Sequence, residues 1–103
     1  MSQLIFNRIV AAIGAKDRAE FLRSANDEMS WAVTPELWEE ISQMAPHLNA
    51  GYKPTHVRCG VDEEGFDVNV WKLCFEDGSS DVTLRVVTCG EELAGLWRNL
   101  DAV

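Results

Sequence analysis

At 103 residues, 47% of them apolar, the chain fits one domain and can bury a core without metals or disulfides. Seventeen acidic against nine basic residues leave a net charge of −8, which disfavours nucleic acid and anionic membrane as direct partners. The one stretch apolar enough to suggest a leader, Leu4 to Ala15, follows no Lys or Arg, is interrupted by Asn7 and Arg8 and is too short to span a bilayer, so a cytoplasmic protein is expected.

The first half has helical periodicity. Leu4, Ile5, Ile9, Val10, Ala12 and Ile13 form one stripe, predicting a helix over about 3–13, with Gly14 placed as its left-handed cap. Asp17 followed by Glu20 reads as a capping box opening a second helix over 17–29, whose buried face is Phe21, Leu22, Ala25 and Met29. Thr34-Pro35-Glu36 opens a third over 35–45: a hydroxyl cap, a proline at the first helical position and an acid in the first turn. Leu37, Trp38, Ile41, Met44 and Ala45 supply its stripe, and Pro46 stops it.

From Thr55 the period falls to two. Strands are expected at about 55–61, 66–76, 81–89 and 93–100, joined by turns at Asp62-Glu63-Glu64-Gly65, Asp77-Gly78 and Gly90-Glu91-Glu92. The fold class is α+β: three N-terminal helices packed on one face of a curved, cone-like four-stranded antiparallel meander, as a single domain over residues 1–103. Cys59, Cys74 and Cys89 are odd in number and carry no secretion signal, which predicts free thiols. With four-residue loops at 62–65 and 77–80, Cys59 and Cys89 flank Val68 two strands apart, about 9.5 Å, beyond disulfide reach. Cys74 lies about 20 Å further along its strand, which also denies a three-cysteine metal site.

The same register pairs 71 with 86 and 70 with 87, and at that level the apolar face changes. Phe66, Val68 and Val70 are apolar on one face of the long strand, and Trp71, Leu73 and Phe75 on the other. Either bulges bend the sheet there or its second face is covered at one end. In the second case Val57, Cys59, Phe66, Val68 and Val87 form an apolar patch away from the helices, the candidate homodimer interface.

The order helix, helix, Thr-Pro-started helix and meander, with a last strand reading Leu93-Ala94-Gly95-Leu96-Trp97, resembles the nuclear transport factor 2-like superfamily, in particular its small cystatin-like members. Ala15-Lys16-Asp17 followed by Phe21-Leu22 is similar to their opening of short helix, kink and second helix. The resemblance covers almost the whole chain. It implies a curved sheet wrapped on a long helix, often a dimer, with a pocket in the cone. The superfamily hosts isomerases, dehydratases and transport adaptors, so the resemblance assigns no activity by itself.

Against the helices the sheet is expected to carry Trp71, Leu73, Phe75, Leu84, Val86 and Trp97, with Asp67, Asn69 and Thr88 at one end of that face. If the cone is open there, Asp67 is a candidate general base, and Asp67, Asn69 and Thr88 with Trp31 form the candidate ligand pocket. The plainer reading makes all three strand residues solvent-facing. A base also needs an oxyanion stabiliser. Tyr52 lies in the loop before the sheet, and neither histidine shares the face in this register. His47 and His56, alternating outward beside Arg58, read as surface residues without the spacing of a zinc site. No metal or cofactor motif, glycine-rich phosphate loop or nucleophile elbow is present.

The sequence therefore points to a non-catalytic binding or assembly domain, homodimeric, with a small apolar ligand as a further possible occupant. One alternative is an acidic inhibitor, of immunity or anti-defence type, masking a basic surface on a partner protein. The other is a small isomerase- or dehydratase-like enzyme using Asp67.

Overall fold

The computed structural model describes residues 2–98, with side chains from residue 4 onward. Five helical segments precede four strands: α1 (Ser2–Gly14), α2 (Arg18–Arg23), α3 (Asp27–Ala32), α4 (Pro35–Ser42), α5 (Ala45–Ala50), β1 (Tyr52–Val61), β2 (Asp67–Phe75), β3 (Val82–Cys89) and β4 (Glu92–Arg98). The strands form one antiparallel meander in the order β1-β2-β3-β4, with the helices packed on one face. The α+β class and the helices-then-meander order are as the sequence predicts.

The helical layer differs in detail. In α1, Phe6 joins Ile5, Ile9, Val10, Ala12 and Ile13 in the core, while Leu4 is 53% exposed. Leu4 falls off the stripe that Phe6, Ile9, Val10 and Ile13 centre on one side of the helix. Gly14 stays helical, and the left-handed residue is Lys16, at φ 54°. The Asp17 N–H reaches the Ala12 carbonyl at 2.8 Å and the Lys16 N–H that of Ile13 at 3.0 Å, the paired bonds of a Schellman end.

The expected helix over 17–29 is two. Asp17 caps α2 through the Glu20 N–H as anticipated, but the chain leaves helical geometry at Ser24–Asn26 to pair with β4. Leu93 donates its N–H to the Ser24 carbonyl, and its own carbonyl accepts the Asn26 N–H. The Asn26 side chain then restarts the chain as α3 by accepting the Met29 N–H at 2.8 Å. Pro46 likewise begins a helix rather than ending one. It occupies the first turn of α5, where no intrahelical donor is missed.

In the sheet, β1 pairs with β2 from Tyr52 opposite Phe75 to His56 opposite Trp71. A bulge at Val57 then shifts the register, so Cys59 lies opposite Asn69 rather than Val68. Strands β2 and β3 run without interruption from Asp67 opposite Thr88 to Leu73 opposite Val82, so 71 meets 84 and 70 meets 85. The expected pairs are off by two because the hairpin turns one residue earlier: Leu73 meets Val82, which centres it between Asp77 and Gly78 instead of between Gly78 and Ser79. An even slip leaves every side chain on its expected face.

The second bulge is at Ala94 in β4. It reverses the phase beyond it, placing Trp97 opposite Arg85 on the face away from the helices, not with Trp71 as expected. The core therefore joins the helices to Trp71, Leu73, Phe75, Val82, Leu84, Val86 and Leu93. All three cysteines are free. Residues 99 and 100 of the expected last strand lie outside the described residues.

Candidate functional site

The helix-side face ends in a polar cluster built across β1, β2 and β3. Asp67 is exposed opposite buried Thr88, and Asn69, also buried, lies between Cys59 and Val86. The structure adds His56, which the sequence placed outward. The bulge at Val57 lets His56 and Arg58 face opposite sides, and the His56 Nε2 lies 2.8 Å from the Asn69 Oδ1. The His56 ring also packs 4.6 Å from that of Trp71, which stacks on Phe6 at 4.2 Å. Trp31 does not join them: it is 86% exposed on α3.

Cys59, His56 and Asn69 are the residue types of a thiol hydrolase, and all three share this face. The arrangement differs in one respect that matters. Asn69 holds Nε2, and no hydrogen bond joins the imidazole to the Cys59 sulfur among the described residues, so nothing in this geometry draws the thiol proton.

A second histidine cluster ties α5 to the β2–β3 connection. The His47 Nδ1–H donates to Asp77 Oδ2 at 2.7 Å, and Ser79 Oγ lies 2.8 Å from the same nitrogen. A Ser-His-Asp hydrolase needs acid and nucleophile on opposite ring nitrogens. Both on one nitrogen make a clasp.

The bond to His47, then those from the Ser79 hydroxyl and N–H, lower the Asp77 pKa from 3.8 to about 2. Because the folded value is depressed, the stabilisation is complete above the unfolded pKa and is lost as pH falls through the folded one. Wild type and Asp77→Asn should therefore converge in urea midpoint between about pH 4 and pH 2. A difference that stays constant over that window would remove Asp77 from the acid response.

Between α4 and β4 lies a cleft of about 280 Å³, floored by Met29, Leu37, Ile41, Met44, Leu84 and Leu96, with Glu40, Trp97 and Arg98 at its mouth. It opens on the helix side about 13 Å along β3 from Thr88, so this apolar cleft is not at the Asp67 end.

The face away from the helices is different in character. Lys53 and Arg58 of β1, Lys72 of β2 and Arg85 of β3 all stand on it, with Glu92 at one end as the acidic strand residue. The Arg85 guanidinium sits 5.3 Å over the Trp97 ring. Trp97 lies back over Gly95, where a Cβ would come within 2.5 Å of the ring. On this face Val70 is 3% and Val87 4% exposed, although no helix among the described residues covers them.

The five candidate interface residues separate. Val68 is half-buried opposite Val87. Val57 is exposed in the bulge, Cys59 stands on the helix side, and Phe66 precedes β2, half-buried. Among the described residues no three His, Cys, Asp or Glu side chains are grouped to hold a metal, and no helix is long and apolar enough to cross a membrane.

The chain matches no protein-family model, no curated protein and no solved structure. The basic sheet face was not singled out from the sequence, because the phase of β1 and β4 depends on the two bulges. Gly95 inside a strand was the available signal, since such a glycine often marks a bulge or a close approach.

Proposed function

We propose that the chain is a non-catalytic binding domain of nuclear transport factor 2-like shape that engages another protein through the uncovered face of its sheet. One observation carries this. In a chain of net charge −8, the central outward charges of the sheet, Arg58, Lys72 and Arg85, are all basic. An isologous dimer through this face would set like charges against one another around the two-fold axis, whereas an unrelated acidic surface would complement them. Pairing along the open β1 edge is discouraged by Lys53, Arg58, the bulge at Val57 and Pro54, which has no N–H to donate.

The purified chain should therefore sediment as a monomer at about 50 mM and about 500 mM salt alike. The homodimer is the second reading, favoured by Val57 and Val61, which are exposed on β1. A dimer that persists at both salt concentrations would replace the first reading by the second.

A further inference from the structure

Resting on the sheet-face reading, a narrower assignment follows for its centre. We infer that the depression between Arg58 and Arg85 is a carboxylate subsite, taking one Glu or Asp side chain of an extended protein segment laid along the sheet. The register places both arginines opposite Val70, on β1 and β3, so their Cα atoms lie two strands apart, about 9.5 Å. Between them is a depression of about 310 Å³ whose floor includes Gly60 and Val68. Gly60 leaves it open, since a Cβ there would meet nothing within 4 Å.

Neither arginine has a carboxylate partner among the described residues, in a chain with seventeen acidic residues. Arg85 is steadied against Trp97, which holds one face of the guanidinium while its N–H edges remain free to grip a carboxylate. Asp62 also borders the depression, but its Oδ1 already accepts the Glu64 and Phe66 backbone N–H groups at 2.9 Å, turning that carboxylate into the hairpin.

The surroundings select an isolated carboxylate over a polyanion. Glu63, Glu64, Glu91 and Glu92 lie in or beside the two connections at this end of the sheet, and Glu76, Asp77 and Asp81 in the connection at the other. A ligand charged at every unit would meet those acids at one end or both. A segment with acids alternating with neutral residues presents its carboxylates on one face, about 7 Å apart, and can place one between the arginines. The partner is thus an acidic, extended piece of protein, not a nucleic acid.

The test titrates isotope-labelled protein with a short peptide of alternating Thr and Glu, a matched Thr–Gln peptide, and single-stranded oligo-dT of the same length, followed by amide shifts. The Thr–Glu peptide should shift Arg58, Gly60, Val68 and Arg85. Arg58→Ala and Arg85→Ala should each weaken its binding at least about tenfold, Arg58→Lys less, and Arg23→Ala on α2 not at all. Arg85 is half-buried, so if its variant unfolds, the Arg58 pair carries the test.

Equal binding of the Thr–Gln peptide, or tighter binding of oligo-dT, would overturn the carboxylate assignment. Shifts on the sheet face that ignore both arginine variants would overturn the subsite and leave the binding-face reading standing. Shifts confined to the helices would overturn both.

Discussion

Trp71→Ala should lower stability by about 3–5 kcal/mol in urea unfolding, the range for truncating a large buried aromatic. Trp71 is 6% exposed and central on β2, opposite both His56 and Leu84. Its indole stacks on Phe6 at 4.2 Å and 16°, so the residue joins α1 to the sheet as well as filling the space between them. Alanine would leave Phe6 facing a hollow and remove the ring against which His56 is packed. Trp71→Phe should cost less, about 1–2 kcal/mol, because it keeps an aromatic surface under Phe6. It also removes the indole N–H, which is buried with no acceptor among the described residues. A loss below about 1 kcal/mol for the alanine variant would mean that this contact does not hold the two layers together.

How far the sequence reached depends on the range of each signal. Local signals were sound: Asp17 and Thr34 cap helices where their spacing said they would, and the alternation in β2 and β3 placed Trp71, Leu73, Phe75, Leu84 and Val86 on the helix side. What failed was information carried by contacts far along the chain. The stretch from Arg18 to Met29 has helical periodicity throughout, and its break at Ser24–Asn26 is a bargain with Leu93, nearly seventy residues later. Proline cannot continue a helix, which makes Pro46 look like a stop, yet the same chemistry suits the first turn it occupies in α5.

The bulges had larger consequences. A single extra residue at Val57 turned His56, which stays exposed, to the helix side beside Asn69 and Trp71, and one at Ala94 moved Trp97 to the opposite face. Asp67, Asn69 and Thr88 were placed together because they sit on the uninterrupted pair of strands. Trp31, the fourth member of the expected pocket, lies in solvent.

Leu93 is where the layers are joined at the other edge, and Leu93→Ala should cost about 2–5 kcal/mol. The side chain is fully buried just before the Ala94 bulge, and its backbone bonds to both Ser24 and Asn26. Truncation keeps those backbone bonds in principle but removes the packing that holds β4 against the α2–α3 junction. The loss should therefore be uneven as well as large. Amide exchange should accelerate first at Asn26, Met29 and Leu93, because the Asn26 cap on α3 depends on the same junction, while the uninterrupted β2–β3 ladder stays protected until global unfolding. Half-buried Leu96, beyond the bulge on the same strand, supplies the comparison: Leu96→Ala should cost less and leave exchange at Asn26 unchanged. If Leu93→Ala were as mild as Leu96→Ala, or sped exchange equally in β2 and at Asn26, the helix break would owe nothing to β4. The division of the 17–29 stretch would then have to come from its own residues.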